Sequence, residues 1–282
     1  MLMDFSSMSL EQFHVHFPTE FACVDYLFHT RWPAGFQCPR CSHPQAYVTT
    51  TRRLPLYECG HCHFQISLTS GTIMEGSRTE LRKWLTALFL VSRKDKGTTA
   101  VELSNIIQVT YKTAWLILHK IRSTIHNSDI LTPLTGAICV NSAVYGRPYN
   151  PTVNKHPKEH LLLIASSLNE DDDSTSLKIK HIIPTNPKVK HISRSDIITF
   201  QNEQIDIAAY SIDIVTGFYT PKRLRPLLKF TKQASQWIND TFHGIGAKHL
   251  QIYLDEFCFR FNLSSRNLPL FPCLIERCFR LS

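Results

Sequence analysis

The sequence lacks any apolar run that approaches the roughly 18 residues that a membrane-spanning helix requires. Its first residues, MLMDFSSMSLEQF, also lack the basic and then apolar order of a secretion signal. No internal repeat is visible, and only the two ends and an acidic loop at residues 169–173 have the composition of disordered segments. These absences predict a globular, intracellular protein without a membrane partner.

Acidic residues are scarce relative to basic ones. The 282 residues include 31 Lys and Arg but 23 Asp and Glu, which gives a formal net charge of +8. This balance favours polyanionic partners, and nucleic acid is favoured over a membrane surface because no basic amphipathic anchor is evident. A hydrophobic content of 43% is enough for one large domain or two to three small ones.

Cysteines number nine, and four of them form two CxxC pairs with 17 residues between the pairs. The spacing of Cys38, Cys41, Cys59 and Cys62 is typical of a zinc site in which each tight turn presents two thiolates to one ion. Four thiolates close the tetrahedral shell, so the predicted zinc is structural. The alternative is a set of redox or unpaired thiols.

Three histidines lie beside these pairs and could compete as ligands. We interpret His43, His61 and His63 as solvated or phosphate-facing, because four cysteines already satisfy the ion. Four further cysteines follow no metal-binding spacing and are interpreted as core or surface thiols: Cys139, Cys258, Cys273 and Cys278.

Three helices are predicted over residues 76–128. Capping-box patterns at residues 77–80 and 99–102 begin the first two, and Thr110 can cap the third after a tight break. This arrangement resembles a helix-turn-helix unit, whose second helix offers its N-terminal residues to DNA bases. The predicted DNA-binding residues are Tyr111, Lys112, Thr113, His119, Lys120 and Arg122. The alternative is an ordinary helix with a solvated basic face, but the adjoining zinc module and the net charge favour DNA.

From about residue 130 the periodicity changes to short β-rich runs. These runs are AICV, HLLLIASS, LKIKHII and SDIIT, and two helical runs follow at about 226–239 and 248–261. Strands followed by helices predict a mixed α/β domain. The run GAICVNSAVYG, residues 136–146, ends a buried strand with the neutral pair Asn141-Ser142.

Several stretches resemble bacterial insertion-sequence transposases that join a zinc ribbon to a DDE-type catalytic domain. They are TRWPAGFQCPRC, YECGHCHFQISLTSGTIMEGSRTELRKW, VELSNIIQVTYKTAWLILHKIR and DTFHGIGAKHLQIYLDEFCFRFN, and they cover most of residues 28–126 and 230–262. The resemblance implies an α/β multidomain chain. Residues 1–75 would form an N-terminal helix and zinc ribbon, 76–128 a helix-turn-helix-like DNA-binding segment, 130–265 a ribonuclease H-like domain, and 266–282 a C-terminal tail.

In that family the ribonuclease H-like domain holds two divalent metal ions on carboxylates, which serve DNA strand transfer. The first strand of the family ends in an Asp followed closely by a Glu and then Tyr-x-Gly. Here Asn141 and Ser142 stand in place of the two acids, while Tyr145 and Gly146 keep the register.

The second and third metal positions of the family also lack a carboxylate here. The resemblance puts Phe200, in the predicted strand SDIITFQN, at the second position, and the third near Gln233. Asp196, Asp206 or Asp213 could instead supply the second carboxylate.

These departures predict a DNA-binding protein of the transposase family in which cleavage and strand transfer are lost. The resemblance implies binding to double-stranded DNA at inverted-repeat ends, a homo-oligomer, and a bacterial cytoplasmic, nucleoid-associated location. Mg²⁺ would be needed only if the protein is active. One alternative is an active transposase that uses Asn141 and a displaced Asp, and another is a protein-interaction module.

Other polar residues have simpler interpretations. Residues 171–173 are three consecutive Asp residues, which favours a solvated turn over a metal site. Asp255 and Glu256 are interpreted as structural, with a possible partner in Arg260. His243 and His249 could touch DNA, but a loop at the start of a helix is the plainer interpretation.

Overall fold

The computed structural model describes residues 5, 8–94, 96–146, 154–168, 174–184, 186–217 and 225–279. The predicted acidic turn at residues 169–173 lies outside this set. The described residues form two compact units, each made of segments that are distant in the chain. Unit 1 draws on residues 1–93, 100–124 and 269–282, and unit 2 on residues 94–99 and 125–268.

The helices and strands of the described residues follow one another in this order: α1 (Leu10–His16), α2 (Glu20–Arg31), β1 (Ala46–Thr49), β2 (Leu56–Cys59), β3 (Gln65–Ser67), α3 (Leu81–Val91), α4 (Ala100–Ile107), α5 (Tyr111–Ile130), β4 (Ala137–Tyr145), β5 (His160–Leu168), β6 (Ser174–Ile182), α6 (Arg194–Gln204), β7 (Ser211–Val215), α7 (Arg225–Phe242), α8 (Ala247–Ser265) and α9 (Leu270–Phe279). No helix in this described part of the chain has both the length and the apolarity needed to cross a bilayer.

The N-terminal segment of unit 1 forms two helices, where one was predicted. A capping box between Ser9 and Gln12 begins α1, and the Thr19 side chain caps α2. Pro18 lies between them and lacks the amide hydrogen that a continuous helix would use. The segment packs on α3, since the rings of Phe13 and Phe89 stack with centroids 4.3 Å apart.

The C-terminal segment was predicted to be a tail, but residues 270–279 form α9, which belongs to unit 1. The ring of Phe271 lies 4.7 Å from that of Phe5 and 5.4 Å from that of Phe13, measured between centroids. Apolar burial therefore joins the first and last helices of the described chain.

Helix α3 begins at Leu81, later than the capping-box pattern predicted. Its N-cap residue Glu80 makes no side-chain cap hydrogen bond. The carboxylate of Glu20 instead accepts hydrogen bonds from the amides of Leu81 (2.9 Å) and Arg82 (3.2 Å). The predicted capping box was wrong because a residue distant in sequence satisfies these amides. Ser77 accepts from Trp84 Nε1 at 3.0 Å instead.

The tight break between α4 and α5 is confirmed. Gln108 has a φ of 51°. Val109 donates its amide to the Ser104 carbonyl, which closes the turn. The hydroxyl of Thr110 accepts from the Thr113 amide at 3.2 Å, as predicted for the cap of α5.

Unit 2 is built on a sheet with strand order β6-β5-β4-β7. The pairs β6/β5 and β5/β4 are antiparallel, and β4/β7 is parallel. The predicted strands in AICV, HLLLIASS and LKIKHII are confirmed as β4, β5 and β6, and the two late helical runs are confirmed as α7 and α8. Strand β7 was not predicted from the sequence.

The predicted strand SDIIT was wrong, because this run lies in helix α6. Ser193 caps the helix by accepting from the Asp196 amide, and the Asp196 carboxylate accepts from Ser193 in return. Ile197, Phe200 and Gln204 then turn toward the interior at helical spacing.

The sheet has an apolar cluster on each face. One cluster, from β4, β5 and β6 with α7 and α8, includes Ala143, Tyr145 and Leu254. The other includes Val140 of β4 and Phe200 of α6. We call these the α7/α8 face and the α6 face.

Candidate metal centre and nucleic-acid interface

Four cysteine sulfurs converge in unit 1. The Sγ atoms of Cys38, Cys41, Cys59 and Cys62 all lie within 4.8 Å of one another. Cys38 and Cys62 are separated by 3.7 Å, Cys41 and Cys59 by 3.5 Å, and Cys41 and Cys62 by 3.4 Å. A tetrahedral zinc with bonds of about 2.3 Å places its sulfurs roughly 3.8 Å apart, so this arrangement fits the ion.

The two cysteine turns share one backbone conformation. Cys38 and Cys59 each accept at the carbonyl from the residue four positions on, at 2.8 Å from Ser42 and 3.1 Å from His63. Ser42 and His63 both take left-handed φ values, of 58° and 56°. The His61 amide also donates to Cys59 Sγ at 3.5 Å. Repetition of the turn orients two sulfurs from each pair toward a shared centre.

The histidines beside the turns lie outside this sulfur cluster. Among the described residues, the group that can hold a metal consists of the four cysteines. His63 lies 3.3 Å from the Glu58 carboxylate, and the rings of His43 and His61 lie 5.7 Å apart. None is needed to complete the zinc shell.

The N-terminal turn of α5 is at the surface. Tyr111 is 58% exposed and Leu116 is 45% exposed, and Lys112 is also exposed. Thr113 is half-buried and its hydroxyl lies 2.9 Å from that of Thr110. The first turn of α5 therefore presents an aromatic ring and an ammonium group to solvent.

The other predicted DNA-binding residues of α5 are engaged or buried. The Lys120 ammonium donates to the Ile73 carbonyl at 2.8 Å, and the His119 ring stacks on Trp115 with centroids 4.9 Å apart. Arg122 is only 3% exposed. A buried guanidinium cannot reach a phosphate, so Arg122 lies outside the candidate interface.

Asn141 lies in the middle of the unit 2 sheet. It pairs with Ile164 of β5 on one side and with Val215 of β7 on the other, and it is 1% exposed. Side chains alternate along a strand, so Asn141 is on the α7/α8 face with Ala143, and Ser142 is on the α6 face.

The structure does not bring the other two predicted positions to Asn141. Phe200 is buried on the α6 face, the opposite side of the sheet. Gln233 is exposed on α7, while its neighbour Ala234 packs in the α7/α8 cluster. Thr231 is the buried polar residue on that part of α7, and its hydroxyl donates to the Leu227 carbonyl.

The three carboxylates considered for the second metal position lie on different elements of unit 2. Asp196 caps α6, and Asp206 accepts from the Ala208 amide at 2.8 Å. Asp213 lies on β7, where it pairs with Cys139 and is exposed. By strand alternation Asp213 shares the α7/α8 face with Asn141, one pleat away.

The Tyr145-Gly146 pair at the end of β4 has a structural role. The Tyr145 hydroxyl lies 3.2 Å from Asn239 Oδ1 and accepts from the Ile245 amide at 3.1 Å. Gly146 has a φ of 108°, and a Cβ there would overlap the Lys158 carbonyl oxygen. Tyr145 thus holds the end of β4 to the α7–α8 loop, and Gly146 allows the close approach of the Lys158 backbone.

The acids of the YLDEF run in α8 are also structural. Glu256 is fully buried and pairs with Arg260 at 3.0 Å, which confirms the predicted partner. Asp255 accepts from Gln251 at 2.7 Å and lies 2.6 Å from His126 Nδ1. The hydrogen bond to Asp255 raises the pKa of His126.

The loop before α8 contains one of the two histidines considered for DNA. His243 has a φ of 57° and is exposed between α7 and α8. His249 follows in the first turn of α8, whose N-cap is Gly246. The interpretation of this segment as the start of a helix is confirmed.

Comparison with known proteins agrees with the cysteine geometry. Residues 18–65 match the family model described as "Transposase zinc-ribbon domain", and all four cysteines lie in this segment. Residues 18–65 contain a zinc ribbon. Its four thiolates hold a structural zinc.

A second comparison extends the similarity to transposable elements. Over 100 residues the chain is 30% identical to a protein of Halobacterium salinarum described as "Uncharacterized protein in transposable element ISH50". The matched stretch covers 35% of this chain and 33% of that protein, so the match spans about a third of the relative. No solved structure gives a significant match to the chain.

The zinc ribbon is joined to the rest of unit 1 by polar contacts. Arg53 lies 3.7 Å from Glu20, the residue that satisfies the first amides of α3, and donates to the Ser77 carbonyl at 3.3 Å. Arg31 of α2 donates to the Leu68 carbonyl at 2.6 Å, just after β3. The ribbon and the helices around it thus share charged contacts as well as an apolar core.

Proposed function

We propose that this protein is a transposase-family DNA-binding protein of an insertion element, that it binds inverted-repeat duplex DNA through α4 and α5, and that it no longer cleaves or transfers strands. We propose further that it acts as a homo-oligomer associated with the bacterial nucleoid. The observation that carries the proposal is the exposed first turn of α5, which follows a three-residue turn from α4.

The exposed residues of α4 and α5 suit a helix that lies in the major groove. Tyr111 and Lys112 begin α5, and Leu116 is one turn further on. In helix-turn-helix proteins these early positions of the second helix meet base edges, and lysines meet phosphates. Val101, in the first turn of α4, is also 58% exposed.

Binding can be tested with Lys112→Gln. We expect the variant to bind inverted-repeat duplex several-fold more weakly than the wild type. The slope of log affinity against log salt should fall by about one, since one phosphate contact is lost. Lys188→Gln is the matched control, because it removes the same charge from an exposed loop residue of unit 2. Equal, salt-dependent binding by wild type, Lys112→Gln and Lys188→Gln would contradict the assigned surface.

The proposed loss of catalysis rests on the charge at the sheet centre. Magnesium takes oxygen ligands, and carboxylates supply the negative charge that holds it. Asn141 offers a carbonyl oxygen without charge, and the metal-binding group found among the described residues is the cysteine cluster. A neutral residue at the sheet centre supports the loss of metal-dependent cleavage.

A strand-cleavage and strand-transfer assay with Mg²⁺ tests this part. We expect no products from wild-type protein on duplexes that end in the inverted repeat of the element. Cleavage that depends on Mg²⁺ and disappears in Asn141→Ala would contradict the loss of activity.

An active transposase is the second candidate, and Asp213 is the observation that favours it. Its side chain lies on the same face as Asn141, on the strand that runs parallel to β4. If Asp213→Asn abolished a Mg²⁺-dependent cleavage that Asp206→Asn left intact, this candidate would replace the first. A third candidate, a protein-interaction module, predicts no salt-dependent affinity for duplex DNA.

A further inference from the structure

We propose that the tip of the β1–β2 hairpin, residues 50–55, is a second DNA contact in which Arg52 binds a phosphate of the duplex. This inference rests on the proposed function and adds a partner surface to the zinc ribbon. It follows from the distribution of charge along the hairpin, from the contacts of its arginines and from the exposure of its edge strand.

The hairpin has an anionic end and a basic end. One Zn²⁺ with four thiolates carries a formal charge of 2−, and Cys59 lies at the zinc end, where β2 pairs with Ala46 of β1. The opposite end of the ladder is the Thr49–Leu56 pair, followed by the tip with its two arginines. Cys59 and Leu56 are three positions apart along β2, which is roughly 10 Å at about 3.3 Å per residue.

This separation reduces the repulsion that a phosphate bound at the tip would experience from the zinc cluster. The Debye length is about 10 Å at 0.1 M salt, so the anionic zinc cluster is largely screened at the tip. A phosphate near the cysteine turns would meet the full charge of the cluster. The basic tip is therefore the end of the ribbon that favours DNA binding. The other end, with the histidines beside the zinc, is unfavourable for a phosphate.

The two arginines of the tip have different surroundings. Arg53 pairs with Glu20 and donates to the Ser77 carbonyl, so it holds the ribbon to the helices. Arg52 is exposed and, in the described part of the chain, the structure shows no carboxylate partner for it. Arg52 is thus the tip cation available to an outside anion.

Arg52 also lines an open cavity of about 450 Å³ between the hairpin and α2. Thr50 and Arg53 line the same cavity, and so do the carboxylates of Glu20 and Asp25. Glu20 is occupied by Arg53 and by the α3 amides, and Asp25 lies 3.7 Å from His29. Glu20 is therefore engaged elsewhere, and among the described residues no ion pair joins Arg52 to Asp25, so the guanidinium of Arg52 is left for a phosphate.

The edge strand beside the tip is suited to a DNA groove. β1 pairs only with β2 in the described sheet, and Tyr47 and Thr49 are exposed along it, Tyr47 by 70%. The sheet has a third strand, β3, but this strand pairs with residues 56–58 of β2, so only β1 and β2 continue into the tip. The major groove admits a two-stranded β-ribbon, and hydroxyl groups such as those of Thr49 and Thr50 donate to phosphates. The ribbon and the first turns of α5 belong to the same compact unit, which lets one binding event use both.

The test compares Arg52→Gln with Arg40→Gln in the full-length zinc-bound protein. Both variants remove one exposed guanidinium from the ribbon, but Arg40 lies between Cys38 and Cys41, at the anionic end. We expect Arg52→Gln to weaken duplex binding several-fold and to lower the salt slope by about one, while Arg40→Gln changes neither. Arg52→Lys should retain the slope, because the charge remains. Zinc content and melting temperature of each variant show that it is folded.

The outcomes separate this inference from the proposed function. If Lys112→Gln weakens binding but Arg52→Gln binds like the wild type, the hairpin contact is overturned and the α5 interface stands. Equal losses of duplex affinity in Arg40→Gln and Arg52→Gln would also overturn it, because the phosphate contact would then not be specific to the basic tip. If the wild type shows no salt-dependent duplex binding, both proposals fail, and a protein partner for the cavity is the remaining occupant.

Discussion

At the scale of single residues, Asn141, Tyr145 and Gly146 show which features of the β4 segment are structural. Asn141 is buried between Ile164 and Val215, where an ionised carboxylate without a bound cation would be costly to desolvate. Tyr145 ends the same strand and Gly146 follows it, and both have structural roles. This segment thus contributes structural contacts, and the side chains of Asn141 and Ser142 at its centre are neutral.

Gly146 provides a test of this structural role. We expect Gly146→Ala to lower the free energy of unfolding by about 1–3 kcal/mol or more, because a φ of 108° is strained for alanine and its Cβ would overlap the Lys158 carbonyl. Gly246→Ala is the control, with a φ of −73° and open space where the alanine Cβ would lie. Urea unfolding of both variants measures the difference, and equal stabilities would contradict the role assigned to Gly146.

At the scale of elements, helix starts depend on partners that local patterns do not reveal. Residues 77–80 have the pattern of a capping box, but the amides at the start of α3 are satisfied by Glu20, 61 residues earlier than Leu81. In contrast, the local caps of α1, α2 and α5 use side chains within three residues. Local capping can be predicted from sequence, and capping across the fold cannot.

Glu20 therefore has a measurable effect on α3. We expect Glu20→Gln to destabilise unit 1 by about 1 kcal/mol, because it weakens the hydrogen bonds to the first amides, the interaction with the helix dipole and the pair with Arg53. Glu80→Gln, at the N-cap position without a side-chain cap bond, should change stability by less than about 0.5 kcal/mol. Thermal unfolding of the two variants compares them, and a larger loss in Glu80→Gln would reverse the assignment.

Strand and helix assignments in unit 2 also show that local patterns predict some elements and miss others. The runs of β4, β5 and β6 are long and apolar enough to be predicted from sequence. The SDIIT pattern is compatible with a short strand as well as with a helix. The Ser193–Asp196 capping box and the burial of Phe200 and Gln204 on one side favour the helix. β7 is short and exposed along much of its length, so its sequence carries a weak signal, and its pairing with β4 defines it.

At the scale of the whole molecule, two units are assembled from segments that are far apart in the chain. Unit 1 contains the zinc ribbon, the start of α5 and the C-terminal helix α9. Its strands have only three or four residues each, so the zinc and the aromatic cluster around Phe271 must supply much of its stability. Unit 2 has a four-stranded sheet with an apolar cluster on each face.

Removal of zinc should therefore affect the two units differently. We expect a strong chelator, or Cys41→Ser, to lower the melting temperature of unit 1 and to abolish DNA binding, while the transition of unit 2 changes little. Cys273→Ser is the control, since Cys273 lies on α9 away from the sulfur cluster and should leave the zinc content intact. Calorimetry with zinc analysis resolves the two transitions, and an equal shift in both would show that zinc stabilises the whole chain.

The sequence by itself determined the zinc centre, the neutral residues on β4 and the break between α4 and α5. Ligand type, ligand spacing and turn chemistry are local properties, so they can be recognised in the sequence without knowledge of the fold. Only the tertiary structure decided that Glu20 caps α3, that Phe200 is on the opposite face from Asn141, that Arg122 is buried and that α9 joins unit 1. These features depend on contacts between residues far apart in the chain, and their free energy comes from burial and pairing that no local pattern encodes.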